Sequence, residues 1–255
     1  MLLRRVTQHL KAQNWFAVFL DFLIVVVGVF IGIQVANWND SRAARAMTDR
    51  TLELLIPLIE RLEKDADGIK DYYATTKAYG KVAFKAWAND GTVSDSDFII
   101  AAYQASQIVV GTYDAEIVAE MIGAENIRNI VDSDLQRRLQ LYITNPSNVS
   151  RIGDLDTPYR QNVRRAIPFA IQERIRSECG DQRPDIMSTP TLPTACKINF
   201  SAELVRPAAD QLRQRKDLRD DLQWHIASTE SVLFDFENEL ARNNELIAAI
   251  KAYLK

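Results

Sequence analysis

From Phe16 to Ala36 the chain reads FAVFLDFLIVVVGVFIGIQVA, an apolar run of 21 residues in which only Asp21 and Gln34 are polar. A helix of that length rises about 31 Å, the thickness of a bilayer's hydrocarbon core. Trp15 and Trp38 bracket the run, where amphipathic rings favour the headgroup layer. The pattern predicts a transmembrane helix over residues 15–38 with those two tryptophans as membrane-interface anchors. Beyond it the apolar positions become periodic. Leu52, Leu55, Ile59, Leu62, Ala66 and Ile69 open a series of alternating three- and four-residue steps that continues to Trp87. This predicts one long helix, joined to the span with little linker because residues 39–51 hold neither Gly nor Pro. Pro57 falls on its outward face and predicts a kink, and Asn89-Asp90-Gly91 closes it.

The last fifty residues repeat the series at Leu222, Ile226, Thr229, Leu233, Phe236, Leu240, Asn243, Ile247, Ile250 and Leu254. They predict a second heptad helix starting near Pro207, with Asn243 as a polar seam position that fixes register. The two long helices pair antiparallel within one chain as stalk and spine, or parallel between chains as a homodimeric coiled coil; the sequence leaves both open. Shorter helices lie between. Ser94 with Asp95 and Asp97 starts one that runs to about Val109, and Asp114 starts another that Gly123 stops. Asp132 caps a third carrying Leu135, Leu139 and Tyr142. Thr157-Pro158 starts a fourth that runs to Glu178, kinks at Pro168 and ends at Gly180. Residues 181–200 form a Pro-rich loop. The predicted class is all-α: one N-terminal transmembrane helix followed by an elongated helical bundle with two long antiparallel heptad helices. A short cytoplasmic amphipathic segment spans residues 1–14, where Leu2, Leu3, Val6 and Leu10 stripe a basic stretch.

Composition agrees with this division. Gly and Pro number 9 and 8 in 255 residues, well below the roughly 12% usual for globular chains, which disfavours a turn-rich all-β fold. The 31 basic and 34 acidic residues leave the chain nearly neutral, an argument against a nucleic-acid partner. Charge is informative at the ends of the span. Arg4, Arg5 and Lys11 precede it without an acid, whereas Asp40, Arg42, Arg45, Asp49 and Arg50 follow it. The positive-inside rule keeps the N-terminus cytoplasmic and exports residues 39–255, into the periplasm of a Gram-negative cell. The location is then the inner membrane, crossed once. A cleaved signal peptide is the competing reading, with Ala44-Arg45-Ala46 as the cut. The run is longer than a signal peptide's apolar core and carries an acid, which favours an anchor.

Cys179 and Cys196 are the only cysteines, and sixteen residues separate them. That spacing suits neither a zinc knuckle nor a redox pair, but a disulfide there fits an oxidising compartment. Two buried free thiols are the alternative. Within the span, Gly28 and Gly32 form a G-x-x-x-G motif on the face that also carries Asp21, Val25 and Val35. This predicts a transmembrane helix interface at Asp21, Gly28 and Gly32, through which copies would self-associate. Asp21 alternatively snorkels to the cytoplasmic headgroups.

Residues 4–40, RRVTQHLKAQNWFAVFLDFLIVVVGVFIGIQVANWND, resemble the opening of an uncharacterised bacterial family of single-span membrane proteins, a domain of unknown function. The likeness lies in the order of Asp, apolar run, G-V-F-I-G and N-W-N. Thr112–Ile143 is similar to a second pattern of that family, helix, Gly turn, Ile-x-x-Asp cap and helix, although Ile143 stands where a second aromatic after Tyr142 is expected. The resemblance implies an inner-membrane location and a helical exported domain, and supplies no catalytic positions.

Candidate chemistry is sparse. No phosphate-binding loop, dinucleotide fingerprint, nucleophile elbow or zinc-protease motif occurs, and no cofactor is implied. His9 and His225 fall on opposite sides of the expected membrane, and His225, beside the seam residue Ile226, is placed on a helix flank. Glu116 and Glu120 lie one turn apart behind Asp114, a pattern more often solvated than catalytic. Arg213, Arg215, Lys216 and Arg219, followed by Asp220 and Asp221, read as mixed surface charge. Arg160, Arg164, Arg165, Arg174 and Arg176 form a more basic helix, which reads as solvated surface, with binding of an anion or lipid headgroup as the alternative. The expected function is a membrane-anchored, non-enzymatic periplasmic interaction or scaffold module. Its partners are the lipid bilayer, an unidentified envelope protein and, through the span or the heptads, further copies of itself. The alternative is a ligand-binding sensory bundle, which would signal through a partner protein because no second apolar span follows.

Overall fold

The computed structural model of the chain describes residues 15–88, 91–109, 116–144, 156–184 and 188–255. The predicted segment 1–14, Asn89, Asp90 and Asp114 lie outside them. Eight helices occur among the described residues: α1 (Trp15–Trp87), α2 (Asp95–Gln104), α3 (Glu116–Asn129), α4 (Ser133–Thr144), α5 (Pro158–Ala166), α6 (Phe169–Cys179), α7 (Ala202–Gln214) and α8 (Lys216–Tyr253). There is no strand among those residues; the sole extended pairing is an isolated bridge between Gln182 and Thr191. The chain is all-α, as its heptads predict.

α1 is one helix of 73 residues, about 110 Å long. Its apolar N-terminal part reaches a mean hydropathy of 2.5 over an unburied stretch, compatible with a single membrane span. Pro57 is exposed and the helix continues through it, because its ring and missing N–H fall on the side that packs against nothing. The opposite side is the seam: Leu52, Leu55, Ile59, Leu62, Ala66 and Ile69 are all buried.

α8 returns along α1 in the opposite direction. Lys251 meets Glu60 at 3.0 Å, Lys70 meets Glu237 at 3.7 Å and Lys77 meets Glu230 at 2.7 Å. These rungs are solvent-exposed and worth under about 1 kcal/mol each. Each Leu or Ile buried along the seam contributes about 2 kcal/mol, so packing holds the pair and the rungs mark its register. Gly80 permits the closest approach: a Cβ there would sit 2.8 Å from Ile226 Cδ1. The two long helices therefore pair antiparallel within the chain. Asn243 is fully buried and accepts a hydrogen bond from Tyr142 of α4.

The shorter helices fill the angle between the long ones. α2 is buried from Phe98 to Gln104, as a segment apolar on every side requires. It packs on α1 and α7, and Trp87 bridges all three, edge-on to Phe98 and donating its indole N–H to the Leu212 carbonyl. Ser94 caps α2 by accepting from the Asp97 N–H. The predicted extension of α2 to Val109 is not helical; the chain turns at Ala105 and Ser106. In α3, Gly123 adopts φ +59°, ψ 148° and breaks the helix, which then resumes to Asn129.

Two long helices predicted from sequence are divided. The one expected to kink at Pro168 is broken there: Ile167 takes extended angles (φ −83°, ψ 127°), and α5 and α6 are separate helices. A residue before proline avoids the helical region because the ring's Cδ collides with it. The C-terminal helix does not start near Pro207, which lies inside α7; the break is at Arg215 (φ −87°, ψ 79°), whose guanidinium binds Asp217. The loop after α6 is clasped to α1. Tyr72 donates to Asp181, Tyr79 to the Pro193 carbonyl and Thr189 to the Asp65 carbonyl. Gly68 leaves room for Thr189 at that contact.

Candidate functional site

The sequence places its candidate residues in three settings. Asp21, Gly28 and Gly32 are exposed on the bare part of α1, with nothing within 4 Å of a Cβ built on either glycine. Trp38 is also exposed, with the Arg42 guanidinium 5.7 Å above its ring; the side chain of Trp15 lies outside the described residues. Cys179 and Cys196 form a disulfide with Cα atoms 5.7 Å apart. It ties the end of α6 to the chain leading into α7, far in sequence from the span.

The structure assembles one polar centre that the sequence reading did not, where the end of α2 meets α1, α5 and α8. His225, expected on a flank, is 1% exposed. Its Nδ1 lies 2.7 Å from Thr157 Oγ1, and its ring lies against Tyr159. Burial, reinforced by Arg160, holds its pKa down to about 4. Nε2 meets no partner at hydrogen-bonding geometry. Tyr159 donates to the Ala102 carbonyl, and burial raises its phenol well above the usual range. Tyr73 accepts from the Val109 N–H, and burial pushes it up to about 12.

Two arginines read as surface charge turn inward here. Arg160 donates to the Ser106 carbonyl, and Arg164 to Ser106 Oγ and Gln107 Oε1, with its guanidinium 4.8 Å over Tyr103. Gln107 donates to Gln104, which donates to the Cys179 carbonyl. The cluster thus consumes most of its own donors and acceptors, and it fixes where α2, α5 and α6 meet. Its signals were the polar interruption Gln104-Ala105-Ser106-Gln107 inside an apolar stretch and a histidine one step off the seam. No group of three His, Cys, Asp or Glu side chains that could hold a metal occurs among the described residues.

The remaining candidates are dispersed. Glu120 is exposed, and the side chain of Glu116 lies outside the described residues. Arg213 joins α7 to α2 through Asp95 at 2.6 Å, and Arg174 pairs with Glu178 while covering Phe200. The surface also presents large apolar side chains. Trp224 and Phe234 are each 63% exposed on α8, and Phe169 is exposed at the start of α6. The described clefts are open ones, including about 520 Å³ between α1 and the disulfide loop and about 240 Å³ beside Trp224. No protein-family model, curated protein or solved structure matches the chain.

Proposed function

We propose that the protein is a membrane-anchored, non-enzymatic interaction module, its N-terminus cytoplasmic and its bundle in the periplasm, presenting a helical surface to another envelope protein. The observation that carries this reading is the exposure of Trp224 and Phe234 on the spine. Large aromatics left in water on a rigid helix mark recognition surfaces, while most polar groups of the interior cluster are engaged with one another. The orientation is supported by Arg4, Arg5 and Lys11, which precede the span in sequence without an acid, and the disulfide suits the oxidising side. The resemblance of residues 4–40 to a single-span family supports the same placement.

Photocrosslinking tests this. A photoreactive residue is placed at exposed positions of the full-length chain in living cells, one position at a time. Discrete adducts at a contiguous set of positions are expected. Recovery of the uncrosslinked chain at every position would reject the reading. The cleft between α1 and the disulfide loop, lined by Asp71, Tyr72 and Thr191 among others, favours a second reading, a sensory bundle. There a small ligand, not a protein, would raise the melting temperature.

A further inference from the structure

α8 carries two heptad seams. The buried one includes Leu222, Thr229, Phe236, Asn243 and Ile250. Two residues further on, about 200° around the helix, runs another with the same three-four spacing: Trp224, Ala227, Ser231, Phe234, Asn238 and Ala241. All six are exposed. A solvated helix face is ordinarily polar, whereas this one is apolar at four of six positions, Ser231 and Asn238 being the exceptions. It has the width and period that accept a second helix.

Charge identifies the occupant. Residues 220–241 hold Asp220, Asp221, Glu230, Asp235, Glu237 and Glu239 but no Lys or Arg. Asp235 lies to one side of the outer seam, Glu230 and Glu237 to the other, and Asp220 at its head. Glu230 and Glu237 reach Lys77 and Lys70 yet keep 46% and 63% of their side-chain surface exposed. Among the described residues, Asp220 and Asp235 have no cation within ion-pair distance. A second copy of α8 would set these carboxylates against their own kind, which opposes self-pairing. A helix flanked by cations meets the reverse. Beside Trp224 the cleft of about 240 Å³, lined by Asp220, Gln223, Trp224 and Ala227, has room for one long side chain. A Lys or Arg there would lie on the indole face with its charge at Asp220.

We propose that the outer face of α8 from Asp220 to Ala241 docks an amphipathic helix of another protein, with an apolar seam against Trp224 and Phe234 and flanking Lys or Arg against the carboxylates. The proposal rests on the interaction-module reading and names its surface and the chemistry of its partner. In the same full-length chain, the photoreactive residue is placed at positions 224, 227, 234 and 241, and separately at 47, 54 and 169. The crosslinked segment is then sequenced by mass spectrometry. The expected result is adducts at the four α8 positions to a segment with heptad apolar positions and net positive charge. The yield at position 234 should fall at least fivefold in the Asp220→Lys/Asp235→Lys variant, at one exposed and one half-buried site, with its helical circular dichroism matching that of the native chain. An undiminished yield in that variant overturns the proposal, as does an adduct of twice the chain mass. Adducts confined to positions 47, 54 and 169 overturn it while leaving the interaction module standing, and no adduct at any position removes both.

Discussion

Acidification should unlock the polar centre through His225. In the unfolded chain this imidazole titrates near its ordinary value of 6.5; in the fold, burial and Arg160 hold it down to about 4. As pH falls through that interval the unfolded chain takes up a proton that the folded chain refuses, so stability falls with pH. The effect is absent above about 6.5 and complete below about 4. A gap of about 2.5 units corresponds to about 3 kcal/mol, or about 6–12 °C in melting temperature for a chain of this size. Glu63 and Glu239 act in the opposite sense, because burial raises both and each is relieved by protonation. The histidine's share is therefore read from a difference. Thermal unfolding of the full-length protein in detergent, followed by circular dichroism at pH 7 and pH 4.5, is compared between the native chain and His225→Gln. The variant loses the histidine's packing at both pH values, but its acid-induced drop should be smaller by about 2–3 kcal/mol. Equal acid shifts in the two proteins would refute the assignment, as would a His225 ring resonance titrating near 6.5.

The disulfide closes a loop of moderate length, and Cys179→Ser with Cys196→Ser should lower stability by about 3 kcal/mol; an unchanged melting temperature would show that the clasp of Tyr72, Tyr79 and Thr189 suffices alone. Gly80→Val should cost about 1–3 kcal/mol by overpacking against Ile226, measured by the same melts, while Gly28→Val, with open space around it, should leave the bundle's stability unchanged. A C-terminal alkaline phosphatase fusion should be active in cells. A stable but inactive fusion would reverse the proposed orientation.

The three-four spacing was enough to locate α1 and the buried face of α8, because a seam repeated over many turns leaves the same mark at each. Breaks were harder to place. At Pro168 the preceding Ile167 swings to extended angles, whereas at Pro57 the helix persists, since Leu52, Leu55 and Ile59 hold it against the core on both sides of the ring. Nothing local distinguishes the two prolines. Arg215 carries no glycine or proline to announce its break, which serves the different packing partners of α7, on α2, and α8, on α1. His225 escaped recognition for a related reason. Its hydroxyl partner Thr157 is 68 residues away, and the three-four spacing counted from Ile226 puts position 225 on the flank. The inward turn of Arg160 and Arg164 is likewise set by Ser106 and Gln107 of another element.

Because α1 passes from its apolar part into the bundle without a break, the bundle inherits the helix's attitude. From Trp38 to Trp87 the rise is about 73 Å, so a tilt of 10° at the membrane sweeps the far end sideways by about 13 Å. Inserting one residue between positions 39 and 47, where α1 carries little of the bundle, would turn the acidic face of α8 by about 100° and raise it by about 1.5 Å. An anchor of this kind acts as a lever and a compass: it would set the height of the proposed docking face and the direction in which that face looks across the membrane plane.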